Sequence, residues 1–294
     1  MIPPEAGVEW LLELLDLQRV GQGVYTGPPA PDHAARSRMF GGQLIAQALA
    51  AASFTVPDDM ECQSLHASFV RPAQAGRPTD FEVANMRDGR SSALRKVMAV
   101  QRDELMCELT AAFCPAAPLV NERAENREFQ LPMPETTPAE QLYREALNSP
   151  DLHAEDIVQR PLGSYGPLQI MAAKPRPLAP RLATWIRVNG ALAADPKLHA
   201  CALAYISDLG AVHSSLLAIG AQLFDPQWQV ASLDHAVWFH RPFRADEWLL
   251  LSFDCTSVSA DRGLNHGLVY SQSGALVASI TQEALLRPRD PLVQ

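Results

Sequence analysis

Two stretches of this chain are nearly free of charge and longer than a strand. Met39 to Pro57 has no charged residue, and Leu198 to Phe224 has one, Asp208 in Ala-Tyr-Ile-Ser-Asp-Leu-Gly. A helix apolar on nearly all sides belongs in the middle of a fold. The first stretch predicts a core helix over Phe40 to Val56. It is almost long enough to span a bilayer, but its two glycines, two glutamines and many alanines make it a poor membrane helix. The second predicts a buried helix over Ser207 to Gly220 with its approach, and sets Asp208 at its head.

Strand-like segments follow each helix. In the first half these are Ser64 to Pro72, Thr79 to Asn85, Ala93 to Gln101 and Leu105 to Phe113, with a turn at Arg87-Asp88-Gly89. In the second they are Asp234 to Pro242, Glu247 to Val258, Gly267 to Ser271 and Ala275 to Leu286, with a turn at Asp261-Arg262-Gly263. Both opening runs end in Arg-Pro, which closes a strand because proline cannot donate to the ladder. One long apolar helix followed by consecutive strands describes an antiparallel sheet wrapped around a helix. Two copies predict an α+β fold of two such units side by side, over residues 8–115 and 181–290. Residues 116–180 are rich in proline and predict a connector. One short helix is expected there, from the capping box Thr137-Pro138-Ala139-Glu140 to about Asn148, before Pro150.

A length of 294 residues suits one large domain or two ordinary ones. A net charge of −9 argues against nucleic acid as a partner, since that binding rests on a basic surface. The five cysteines are odd in number and form no Cys-x-x-Cys pair, so neither a disulfide framework nor structural zinc is expected. Met1-Ile2-Pro3-Pro4-Glu5 lacks the features of a secretory signal, and Pro291-Leu292-Val293-Gln294 carries no peroxisomal address. A cytoplasmic location without stable membrane insertion is the expectation. There is no Gly-x-Ser-x-Gly elbow, P-loop, His-Glu-x-x-His or dinucleotide fingerprint, which leaves chemistry done on water by acids, amides and hydroxyls.

The two halves differ at three positions that matter. Opposite Asp208 the first helix has Gly41-Gly42, which allow close backbone approach. On the last strand Gln282 shares a face with Leu276, Ala278, Ile280, Ala284 and Leu286, an odd place for an amide. Its first-half match is Ala111. Ser232, in Val-Ala-Ser-Leu-Asp-His, begins a strand apolar on both faces, so its hydroxyl needs a buried partner. Acid, amide and hydroxyl together could hold one water, with Asp208 accepting its proton. Taken singly, Asp208 could equally be a helix-start acid, Gln282 a satisfied core amide and Ser232 a strand-start hydroxyl. His66, His235 and His240 read as core or interface histidines, and Asp234 and His235, adjacent in a strand, point to opposite faces.

Three second-half segments, Ala204-Tyr205-Ile206-Ser207-Asp208-Leu209, the run from Ala231 to Phe243 that holds Trp238-Phe239-His240-Arg241-Pro242, and Thr281-Gln282-Glu283, resemble the acyl-CoA thioesterase II family. Phe40-Gly41-Gly42-Gln43 and Phe69-Val70-Arg71-Pro72 resemble it in the first half, so the likeness runs through nearly the whole chain. The resemblance implies a double hot-dog fold and hydrolysis of fatty-acyl-CoA to fatty acid and CoA, with no metal or prosthetic cofactor. The family's water-activating triad would fall on Asp208, Ser232 and Gln282. The hydroxyl position is often threonine, and serine lacks the methyl that locks the rotamer. CoA phosphates would meet arginines such as Arg71, Arg241, Arg244 or Arg262. Apolar outer strand faces predict a homo-oligomer, dimer or tetramer. The rival readings are a hot-dog hydratase or dehydratase, whose Asp-x-Asn-Pro-x-His type motif is absent, and a non-catalytic acyl-CoA-binding module.

Overall fold

The computed structural model describes residues 7–29, 38–116, 168–172, 182–222 and 225–289. Helix α1 (Val8–Leu15) leads into the hairpin β1 (Gln18–Gly21) and β2 (Val24–Gly27). Helix α2 (Gly41–Ser53) follows, then β3 (Met60–Phe69), β4 (Thr79–Asp88), β5 (Ala93–Gln101) and β6 (Glu104–Pro115). The second half has β7 (Leu168–Ala172), β8 (Leu182–Val188), α3 (Pro196–Ser207) and α4 (Ala211–Ala218). It ends with β9 (Trp228–Ser232), β10 (Asp234–Phe239), β11 (Leu249–Ser259), β12 (Arg262–Ser271) and β13 (Leu276–Pro288). The expected helix at Thr137 to Asn148 lies outside the described residues, while β7 adds a strand inside the stretch read as connector.

The strands form one antiparallel sheet in the order β1-β2-β4-β5-β6-β3-β10-β13-β12-β11-β8-β7, with β9 on β13. The order is palindromic about β3 and β10, so each half contributes the same sequence of strands outward from a shared middle. Aligning the two Arg-Pro ends makes His66 the counterpart of Ala236, and these two residues are partners across the β3–β10 seam. A local two-fold axis therefore runs through the seam.

Each half wraps its sheet around a helix. Alanine, leucine and glutamine make α2 a strong helix former, and all of it from Gly42 to Ser53 is buried. It packs on β5, β6 and β4 and against α3. In the second half α4 lies on β11, β12 and β13. The expected single helix over Ser207 to Gly220 is corrected here. Its approach is itself helical: the Asp195 carboxylate caps the start by accepting from Lys197 N–H at 2.9 Å, and Pro196 fits the first turn. Gly210, at φ +103°, then breaks the chain with a backbone that a side chain would strain. Asp208 therefore closes α3 rather than heading a helix.

The join between β9 and β10 bends the site into shape. Ser232 pairs with Ala284, but Ala236 pairs with Thr281, so 233–235 on one side face only 282–283 on the other. This is a β-bulge. Leu233 N–H donates to Glu283 O, and the Asp234 carboxylate replaces a ladder partner by accepting from Glu283 N–H at 2.8 Å. Residues three apart in a regular strand face opposite ways. The extra residue turns both Ser232 and His235 inward, toward Gln282. Ser232 thus ends β9, where the sequence suggested that it began a strand.

Candidate active site

The three side chains singled out in the sequence meet. Asp208 Oδ1 accepts from Gln282 Nε2–H at 3.1 Å, and Ser232 Oγ lies 3.5 Å from the same oxygen. Gln282 Nε2 also donates to Ser232 Oγ at 2.5 Å. The amide's N–H groups thus tie acid and hydroxyl together. The 3.5 Å contact is longer than a strong O–H···O bond, which leaves the Ser232 proton available to another acceptor. Gln282 itself is fully buried.

A fourth group comes from the other half. Gly42 N–H, in the first turn of α2, donates to Asp208 Oδ2 at 2.9 Å. The positive end of α2 therefore faces the carboxylate. Both glycines are needed for this approach: a Cβ on Gly41 would lie 2.8 Å from Asp208 Oδ2, and one on Gly42 would lie 2.4 Å from Tyr205 O. The Gly-Gly pair was legible as a place of close approach, but what it approaches is set by the packing of α2 on α3. The Phe69 ring stands beside Gly41 and adds an apolar wall from the first half.

Burial dominates the electrostatics. It pushes the Asp208 carboxyl up to about 7, against the downward pull of hydrogen bonds from Gln282, Gly42 and Ser232. The acid is thus poised to exchange a proton near neutrality. Behind Gln282 sits His235, fully buried, with Nδ1 3.0 Å from Gln282 Oε1 and Nε2 2.8 Å from Ser207 Oγ. Burial pushes this imidazole down to about 4. The other two histidines face outward: His66 meets Trp238 edge-on, and His240 bonds Ser279 at 2.8 Å. Asp234 is exposed and holds the bulge.

Among the described residues no group of three His, Cys, Asp or Glu side chains gathers as a metal site. A surface cavity of about 450 Å³ lies among Glu13, Gln18, Thr26 and Pro28 and is lined by none of the site residues. A smaller cleft of about 250 Å³ is lined by Arg71, Arg77 and Arg102 with Gln74, Gln101 and Glu104. In the second half, Arg244 and Arg262 are paired with Asp246 at 2.7 Å and Glu283 at 2.9 Å. Arg241 donates to Leu276 O.

Known proteins share this architecture. The family model described as acyl-CoA thioesterase matches residues 176–285, which contain Asp208, Ser232 and Gln282. The one described as acyl-CoA thioesterase N-terminal domain matches residues 29–114, which contain Gly42. Acyl-coenzyme A thioesterase 8 of Homo sapiens is 33% identical over 85% of this chain and 81% of its own length. Acyl-CoA thioesterase 2 of Haemophilus influenzae is 30% identical over 94% and 96%. The crystal structure of an acyl-CoA thioesterase II from Mycobacterium marinum superposes with a TM-score of 0.75 at 34% identity, covering 95% of this chain and 99% of that one. A hot-dog protein of Alicyclobacillus acidocaldarius, at 18% identity and a TM-score of 0.68 over 95% and 98% of the two chains, shares the fold. Matched through both halves and at this identity, the chain belongs to the acyl-CoA thioesterase family of thioester hydrolases and carries its double hot-dog fold.

Proposed function

We propose that this enzyme hydrolyses fatty-acyl-CoA by direct attack of a water that Asp208 deprotonates. The observation that carries this is a solvent-poor carboxylate held by one N–H donor from each half, Gly42 and Gln282, with the Ser232 hydroxyl beside it and a proton affinity matched to neutral pH. The water donates to Asp208 and accepts from the Ser232 hydroxyl. Gln282 has its N–H groups on Asp208 Oδ1 and Ser232 Oγ, so it positions the water by fixing the two groups that touch it. As the water oxygen bonds to the thioester carbonyl carbon, its proton passes to Asp208. The tetrahedral intermediate collapses, the C–S bond breaks, and the departing CoA thiolate takes up the proton, which restores the carboxylate. No covalent acyl-enzyme is needed.

Arg71, two residues after Phe69, lines a first-half cleft with Arg77 and Arg102. Its cations suit the phosphates of CoA. The test is thiol release from saturated acyl-CoAs of rising chain length, with wild type and Asp208→Asn side by side. A positioned general base contributes about 10²–10⁴-fold, so the variant is expected to fall at least about 100-fold. Equal rates would remove Asp208 from the chemistry. Tight binding without thiol release by wild type would favour a binding module, and a changed acyl chain with the thioester intact would favour a hydratase.

A further inference from the structure

We propose that His235 is a positioning residue: held between Ser207 and Gln282, its ring fixes which way the Gln282 amide faces. The inference rests on the reading of Asp208 as the base, and adds a residue behind it.

A glutamine amide is nearly the same shape either way round, and only its hydrogen bonds choose the orientation. Turned over, Gln282 would set its carbonyl oxygen against the Asp208 carboxylate and withdraw both donors from the site. In the orientation that serves the site, Oε1 lies 3.0 Å from His235 Nδ1, so that nitrogen must carry a hydrogen. The ring is fully buried and pushed toward neutrality, which leaves Nε2 as a lone pair. Nε2 then needs a donor, and Ser207 Oγ at 2.8 Å supplies it. The Ser207 hydroxyl can also donate to Ala204 O at 2.9 Å, and with Nδ1 carrying the ring hydrogen its one proton turns from that carbonyl to Nε2. The chain of donation therefore runs one way: Ser207 to His235 to Gln282, then on to Asp208 and Ser232. Ser207 precedes Asp208 in sequence, so the chain begins and ends on one turn of backbone.

The inactive-looking half shows what the fold alone asks for at these positions. By the local two-fold, the counterpart of His235 is Leu65 and that of Gln282 is Ala111, which are partners in the sheet and fully buried. The same bulge is present there, between Cys62 and Ser64. A leucine thus suits this position of the sheet, and the polar pair is an addition peculiar to the half that carries Asp208.

The experiment measures thiol release from one saturated acyl-CoA across about pH 5.5–9, with wild type, His235→Leu, His235→Asn and Asp208→Asn. The leucine variant is expected to lose about 10- to 100-fold in kcat at unchanged KM. Its acid limb should move to higher pH, because Asp208 loses the Gln282 bond that pulls its proton affinity down. Asparagine places an amide N–H where Nδ1 stood, and is expected to return kcat to within about threefold and the limb to its place. Ser207→Ala is a smaller change that removes only the donor to Nε2, and repeats the test should the leucine variant not fold. A fall of about three- to tenfold in kcat with the same limb shift is expected from it. A folded leucine or alanine variant with wild-type kcat, or one changed in KM alone, overturns the proposal. Should Asp208→Asn be inactive while these variants are not, only the role of His235 falls. Should Asp208→Asn stay active, the reading of the base falls first.

Discussion

Replacing Asp208 by asparagine should destroy activity and, above neutrality, stabilise the fold. A carboxyl lifted from 3.8 to about 7 by burial binds its proton more tightly in the folded chain than in the unfolded one. Each pKa unit is about 1.4 kcal/mol, so the full lift corresponds to roughly 4 kcal/mol. Asp208 retains part of its surface toward solvent, which brings the expected effect to about 2–4 kcal/mol. The sign follows from linkage. The contribution of the neutral acid is fully present below about pH 4, is lost as pH rises toward 7, and stays lost beyond it. The asparagine variant has no such term. Other titrating groups are shared and cancel in the difference between the two proteins.

The asparagine also changes hydrogen bonding. Its oxygen can serve either Gly42 N–H or the Gln282 and Ser232 side, and its own N–H₂ then faces donors on the other, at a cost of about 1–2 kcal/mol independent of pH. The variant is therefore expected to be slightly less stable than wild type near pH 4 and more stable near pH 8. The difference should climb steadily between those values and flatten above. Urea unfolding followed by tryptophan fluorescence at several pH values reads this directly, and thiol release on the same samples should lie at or below about 1% of wild type. A stability difference that stays constant from about pH 4 to 8 would refute the reasoning, because it would mean an ordinary carboxyl in a wet site.

Gly42→Ala puts a methyl within 2.4 Å of Tyr205 O and 2.5 Å of the Phe40 ring, and should cost about 1–3 kcal/mol of stability in a melt. Gly41→Ala crowds Asp208 Oδ2 at 2.8 Å instead, and should cut thiol release at least about tenfold with little change in Tm. Ser232→Ala should lower kcat by about 10-fold or more, whereas Ser232→Thr keeps the hydroxyl, restricts its rotamer and should match or exceed wild type. A folded but inactive threonine variant would count against the hydroxyl. Arg102→Glu reverses a charge in the arginine cleft and should raise KM for acyl-CoA about tenfold with kcat nearly unchanged, an effect of about 1.4 kcal/mol. An unmoved KM would take the CoA phosphates elsewhere.

The parts of this molecule that were legible in its sequence are those set by local pattern. The charge-free run became α2, the alternation of the last strand placed Gln282 inward, and the paired Arg-Pro ends gave the duplication. What escaped depends on groups distant along the chain. No periodicity shows that Gly42 N–H, from the other half, will hold Asp208. The place of Asp208 at the close of α3 turned on Gly210 and on the cap at Asp195-Pro196, both local signals that the apolar run around them obscured. The bulge is harder still, because Leu233 is surplus only with respect to the partner strand β13.

The two halves share the bulge and differ in the side chains that it turns inward. It occurs in both, so the inward turn of Cys62 with Leu65 repeats that of Ser232 with His235. The backbone that presents these side chains is therefore present twice, and backbone geometry is not what distinguishes the two copies. In the first copy cysteine, leucine and alanine fill these places, and Cys62 is held as a neutral thiol by its burial. In the second, serine, histidine and glutamine do so, and each polar atom must find a partner or destabilise the core. They find one another, and the chain of bonds ends on a carboxylate that the same burial keeps ready to take a proton. The first copy contributes in another way, since its helix α2 supplies the Gly42 amide and its Phe69 ring the apolar wall. Neither half alone holds the complete site, which gives a physical reason for both to remain in one chain.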